Sequence, residues 1–174
     1  MVRVEAPLLD LRRTLESGQV FQWTPSGSGF EGVIDREPVY LEHVKGGLLV
    51  PRGRERLVER YLALDHALEE IYATFPDDEP MRAALAYCRG VRIIRQPLWE
   101  CVATFITSAM KQVKHIQAIS HTLRRRYGTA VADGLHAYPE PEALARLTED
   151  DLRECALGFR AAKLLGAARA VADG

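Results

Sequence analysis

The sequence predicts an α+β fold, a small antiparallel sheet followed by a bundle of helices. Three observations lead there. From Leu8 to Val50, short apolar runs are cut by turn signals, the pattern of a hairpin meander. From Arg54 onward the apolar residues recur at three- and four-residue intervals, which is the period of a helix face. Further on, prolines, a capping-box pair and glycines punctuate the chain where helices would begin and end.

Taken in order, the sheet reads as VFQW, the turn TPSGSG, FEGVID, the turn REP, VYLEHV, KGG and LLV. A helix with Asp65 as N-cap puts Leu64, Leu68, Ile71 and Phe75 on one face. Met81, Leu85 and Cys88 mark another up to Gly90, and VRIIRQ reads as extended. Pro97 opens a helix that holds Leu98, Cys101, Val102, Phe105 and Ile106. After TSAMKQ, the next helix turns Val113, Ile116, Ile119 and Leu123 inward and Lys111, Lys114, His121 and Arg125 outward, stopping near Gly128. Pro141 opens a short helix, Thr148 and Asp151 form a capping box, and Gly158 precedes a last helix through Leu164, Leu165 and Val171.

The chain has 174 residues, 47% of them apolar, enough for one ordinary domain or two small ones. Its 23 basic and 24 acidic residues leave a net charge of −1, so an anionic partner has to be met by a local patch. Cys88, Cys101 and Cys155 are odd in number and without a Cys-x-x-Cys pair, which fits neither a disulfide framework nor a zinc site and points to a reducing compartment. MVRVEAPLLD has no signal-peptide core, and no run approaches the roughly 20 apolar residues of a membrane span. A soluble, cytoplasmic protein without membrane, metal or cofactor is expected.

Three stretches carry candidate chemistry. In SGQVFQW, Gly18 serves either a turn leading into a strand or a ligand that approaches the backbone where a side chain is missing. In TSAMKQVKHI, Met110, Lys111, Gln112 and His115 sit at a helix start, where amides and a lysine hold a phosphate, or simply form a solvated turn. In ALGFRAAK, Phe159 and Arg160 follow a glycine at another helix boundary. The aromatic either enters a base stack or fills a core beside a solvent-facing arginine. Arg124, Arg125 and Arg126 read as a solvated helix face, and His43, His66, His121 and His136 have no ligand spacing.

The stretches LDLRRTLESGQVFQW, GVRIIRQPLWECVATFITSAMKQVKHI and LGFRAAKLLGAARAV, in this order, resemble the 8-oxoguanine DNA glycosylase family of the helix-hairpin-helix superfamily. The likeness runs from about Leu9 to the last residue, and its most specific part is the pairing of SGQxFxW with GVRxxRQxxxEC. It implies an amino-terminal sheet like half of a TATA-binding-protein fold, over residues 1–53, with helices 54–96 completing that domain. Residues 97–174 become the first part of the helical glycosylase domain. The resemblance implies that the Gly18 carbonyl accepts from N7–H of 8-oxoguanine, an atom that carries a lone pair in guanine, with Phe21 beside it in the lesion site. It implies double-stranded DNA containing a damaged purine as partner, a flipped base, and Met110, Lys111, Gln112, His115, Phe159, Arg160 and Lys163 on the DNA. A monomer is expected.

Two departures stand out. The family usually has asparagine at the position of Met110 and arginine at that of His115, both of which read the orphaned cytosine. Its Leu-Pro-Gly-Val-Gly hairpin, catalytic lysine and aspartate have no match in residues 1–174. The expectation is therefore an oxidised-purine glycosylase, with lysine attack at C1′ and strand cleavage through the Schiff base, whose nucleophile lies outside this chain. The rival expectations are an alkylated-base glycosylase of the 3-methyladenine type and a non-catalytic DNA-binding module.

Overall fold

The computed structural model describes residues 1–174. The chain divides into two compact units, one of residues 1–31 and 39–95, the other of residues 32–38 and 96–174. The five-stranded sheet has the order β1 (Val2–Glu5), β5 (Gly47–Val50), β4 (Glu37–Val44), β3 (Gly29–Ile34), β2 (Thr24–Ser26). Val2 stands opposite Val50 and Thr24 opposite Glu31 in antiparallel pairings.

The sheet departs from the expected meander at both ends. β1 precedes Leu8 and pairs with β5, burying Val4; a stretch of alternating VRVE is too short to announce itself without its partner. VFQW is not a strand. Residues 17–23 run as an irregular segment, buried from Val20 onward, and the strand expected there is the proline-containing TPS, read as a turn, which pairs with β3 as β2. Pro25 is tolerated because β2 lies at the sheet edge, where a missing N–H removes no ladder bond.

Between β1 and β2 the chain makes α1 (Leu11–Glu16), capped by Asp10, whose carboxylate accepts from the Arg13 amide at 3.0 Å. After the sheet come α2 (Glu55–Tyr61), α3 (Leu68–Ala73) and α4 (Glu79–Cys88). Asp65 is not the N-cap of α3, a position taken by Ala67. Arg95 holds its carboxylate by two hydrogen bonds of 2.7 and 2.8 Å, and that pairing lowers the Asp65 pKa.

The second unit contains α5 (Leu98–Ser108), α6 (Val113–Tyr127), the hairpin β6 (Ala130–Ala132) and β7 (Leu135–His136), then α7 (Pro141–Ala145), α8 (Glu149–Arg153) and α9 (Arg160–Ala172). Its core joins Ala103, Ile119, Leu123, Leu144, Leu152, Leu157, Ala161 and Leu164. The capping box of α8 is present, Thr148 bonding the Asp151 amide and Asp151 the Thr148 amide. α5 turns the reverse of its most apolar side inward: Glu100, Ala103, Thr104 and Thr107 are buried, while Leu98 and Phe105 are 80% and 78% exposed.

Arg124 corrects the reading of a solvated arginine run. It is buried on α6, where one guanidinium nitrogen bonds the buried Glu100 carboxylate and another donates to the His136 carbonyl at 3.1 Å. Desolvation raises the Glu100 pKa against the opposing pull of Arg124. No helix is long and apolar enough to cross a membrane.

Candidate lesion and nucleic-acid sites

In the first unit the two most specific sequence motifs form one piece of structure. The Gln19 side-chain amide donates to the Arg92 carbonyl at 2.9 Å and accepts from the Ile94 amide at 3.0 Å. One side chain thus supplies both bonds that a neighbouring strand would, and lashes SGQVFQW to GVRIIRQ. The contact is reinforced where Thr14 Oγ1 accepts from the Arg92 amide at 3.2 Å and the Asp10 amide donates to the Gly90 carbonyl at 2.8 Å. A Cβ on Gly90 would meet the Leu8 carbonyl at 2.1 Å, so that crossing needs a bare backbone.

Farther along, the Gln22 Nε2 and Trp23 Nε1 groups both donate to the buried Tyr61 hydroxyl, at 2.8 and 3.1 Å. These bonds satisfy the buried polar side chains of a segment without a ladder. Gly18 lies at the half-buried head of this segment with φ at 87°, a left-handed conformation. An L side chain is strained there before any ligand is considered. Phe21, expected beside Gly18 in the lesion site, is buried at 5% exposure.

In the second unit the two turns with candidate DNA residues are joined by a single side chain. Met110 lies between α5 and α6, has φ at 55° and is 91% exposed. α6 starts at Gln112 without a side-chain cap, with its first amides and the neighbouring Lys111, Lys114 and His115 on one turn. The other turn carries Phe159, 57% exposed, at the uncapped start of α9, with Lys163 Nζ 5.8 Å from its ring centroid.

At this second turn the aromatic is placed as entry into a base stack requires, and the arginine is not on the surface. Phe159 faces solvent and Arg160 is buried, so the arginine is no surface contact in this structure. Its Nε donates to the Ala109 carbonyl at 2.7 Å, Nη2 donates to the same oxygen, and Nη1 reaches the Leu157 carbonyl at 3.3 Å. Two uncapped helix starts, three lysines and two exposed apolar side chains make a surface able to hold phosphates and press apolar groups against bases.

A shallow pocket of about 220 Å³ adjoins it, lined by Lys111, His115, Ile119, Thr122, Glu154 and Cys155. Burial raises the Cys155 pKa, which keeps it a thiol. Gln19 and Ala109 are the residues sequence reading missed. Gln19 had a signal, a long amide beside a glycine in an apolar stretch; Ala109 had none, since only its carbonyl acts.

Among known proteins, the chain is similar over 94% of its length to N-glycosylase/DNA lyase OGG1 of Arabidopsis thaliana, at 26% identity and covering 48% of that protein. It is 31% identical to an N-glycosylase/DNA lyase of Saccharomyces cerevisiae over 63% of this chain and 31% of that one. The chain thus spans about half, or less, of the length of these curated relatives. Its fold matches that of the Clostridium acetobutylicum 8-oxoguanine glycosylase/lyase, solved with dsDNA containing cytosine opposite 8-oxoG. The TM-score is 0.89 at 23% identity, over 98% of this chain and 61% of that one. The model of the 8-oxoguanine DNA glycosylase N-terminal domain matches residues 1–102, and with more than half of its length so matched the chain belongs to the 8-oxoguanine DNA glycosylase family.

Proposed function

We propose that this chain recognises oxidised purine in duplex DNA for base-excision repair, as part of an N-glycosylase with lyase activity. The observation that carries the reading is the pair of uncapped helix starts bearing exposed Met110 and Phe159 among Lys111, Lys114 and Lys163, in a chain of this family. Lysines neutralise phosphates while the apolar side chains enter the space left by a flipped base. The Gly18 carbonyl selects the lesion by accepting from N7–H, where guanine would oppose it with a lone pair. One such bond separates the two bases by about 1–3 kcal/mol.

Lys45, Lys114 and Lys163 are exposed and Lys111 stands on the phosphate-binding turn. Lys45, Lys114 and Lys163 lack the desolvated surroundings from which a nucleophilic amine works, and Lys111 is committed to phosphate, so none of the four is assigned the attack on C1′. The chain by itself therefore binds and does not excise.

The test is fluorescence anisotropy with a duplex containing 8-oxoguanine, run beside borohydride trapping. Lesion-dependent binding without a trapped adduct is expected, and Lys111→Ala should lower the salt slope of binding by about one. Equal affinity for damaged and undamaged duplex would refute lesion recognition, and an adduct lost on mutating one of the four lysines would locate the nucleophile inside this chain.

A further inference from the structure

The residues on either side of Gly18 are tied together by their side chains. Gln19 Nε2 donates to Ser17 Oγ at 2.9 Å as well as to the Arg92 carbonyl, while its Oε1 accepts from the Ile94 amide. Ser17 Oγ gives its own hydrogen to the Thr14 carbonyl at 2.9 Å. The hydroxyl of Thr14, a fully buried residue, accepts from the Arg92 amide at 3.2 Å and donates to the Asp10 carbonyl at 2.6 Å. These bonds close a ring through Thr14, Ser17, Gln19 and Arg92, and Gly18 is the covalent link between two of its members.

We propose that Gln19 is a positioning residue for lesion selection: with Ser17 and Thr14 it locks the direction of the Gly18 carbonyl, and that rigidity is what excludes guanine. The inference rests on the reading above, in which this carbonyl faces position 7 of the purine.

Attraction and repulsion make different demands on the protein. A carbonyl that swings into place still gains a hydrogen bond from N7–H. Against guanine, a carbonyl free to turn would move off the N7 lone pair, and the penalty that rejects the normal base would vanish. Glycine is the residue least able to hold its own carbonyl, because it lacks the Cβ that confines the backbone elsewhere. Orientation has to come from its neighbours. A glutamine suits the task because one amide meets a carbonyl and an N–H two residues apart on the 90–95 segment, as a paired strand would. Each hydroxyl of the ring gives one hydrogen bond and takes one, so the polarity of the whole circuit is fixed.

The experiment compares the full chain with three ring variants. Gln19→Met keeps the length without the amide, Thr14→Val keeps the shape without the hydroxyl, and Thr14→Ser keeps the hydroxyl. Tyr61→Phe is the stability control, since it removes the acceptor of Gln22 and Trp23 farther along the same segment. Binding is measured to two duplexes in which 8-oxoguanine or guanine stands opposite a tetrahydrofuran abasic site, so that either purine is unpaired and leaves the helix with similar ease. In Gln19→Met and Thr14→Val the preference for 8-oxoguanine should fall about three- to tenfold, with guanine bound more tightly than by the wild type. Thr14→Ser and Tyr61→Phe should keep the preference.

Equal weakening toward both duplexes would overturn the proposal, and so would a preference lost only through poorer binding of 8-oxoguanine. A loss in Thr14→Ser as large as in Thr14→Val would assign the effect to packing and overturn it too. Amide nitrogen relaxation on the free chain gives a readout without DNA. The order parameter at Gly18 should stand near about 0.85 in the wild type and drop toward about 0.6 in Gln19→Met. An unchanged value overturns the proposal. Should Gln19→Met fail to fold, the Thr14 pair carries both measurements. A wild-type chain that binds both duplexes equally refutes the lesion reading and, with it, any role of the ring in selection; a preference present in the wild type and equal in every variant refutes the ring alone.

Discussion

At Gly18 a backbone requirement and the proposed recognition role fall on one residue. Its φ of 87° costs an L side chain about 1–2 kcal/mol whatever lies opposite it, so loss of activity in Gly18→Ala would prove nothing alone. Gly53 supplies the control, with φ at 84° and nothing within 4 Å of an added Cβ. Both alanine variants should lose similar stability by urea titration, and only Gly18→Ala should also lose preference for 8-oxoguanine over guanine. Parallel loss of preference in both would make Gly18 structural. Gln19 is the harder residue to see in the sequence, because its partners in Arg92 and Ile94 lie more than seventy positions away. Gln19→Ala should cost about 1–3 kcal/mol, the penalty for leaving part-buried amide and carbonyl groups without partners, measured by the shift of the denaturation midpoint. The exposure of Phe159 and burial of Arg160 were illegible for a related reason: residue type favours the opposite arrangement, and only the Ala109 and Leu157 carbonyls reverse it.

Helices were legible where the chain carries its own boundary chemistry. Pro97, Pro141 and the Thr148–Asp151 box each stand at the helix start they announced. Elements that depend on their partners were not: β1 exists through β5, and β6 through β7. α1 was hidden by its shortness, six residues whose cap Asp10 lies among ordinary charges. Which face of a helix points inward was the least legible property. On α5 the buried Glu100 is matched to Arg124 of α6, an ion pair that outweighs hydrophobic pattern in setting the helix's rotation. Glu100→Ala leaves that guanidinium buried and uncompensated, and should destabilise the chain by about 3–5 kcal/mol in a thermal melt, against a much smaller loss in Glu100→Gln. His121, on the same helix, has its pKa lowered by burial first and then by Arg124 and Arg125, from the ordinary 6.5. The unfolded chain therefore takes up this proton at higher pH than the folded one. Stability from His121 is present above about pH 6.5 and drains away as pH falls through the lower folded value. His121→Gln should flatten the melting temperature between about pH 7 and 5, and an identical pH profile in the variant would assign the dependence to other groups.

The chain as a whole was legible in class and in family, and for a physical reason: the diagnostic motifs are the segments that Gln19 binds together, so that sequence pairing records a spatial contact. Its near-neutral charge, −1 in total, leaves the proposed anion binding to a local patch of a few lysines. The sulfur atoms offer a last consequence. Cys155 is buried and Cys88 and Cys101 are exposed, all free. Met110, 91% exposed on its outward turn, adds a thioether to these sulfurs. Oxidants that turn guanine into 8-oxoguanine also turn thioethers into sulfoxides, polar and chiral groups ill suited to an apolar gap. On the proposed reading, a wedge made of methionine would leave repair vulnerable to the stress that calls for it. Brief peroxide treatment should abolish the chain's preference for an abasic gap, methionine sulfoxide reductase should restore it, and Met110→Leu should be indifferent to both. Loss of preference in the leucine variant as well would trace the sensitivity to the cysteines instead.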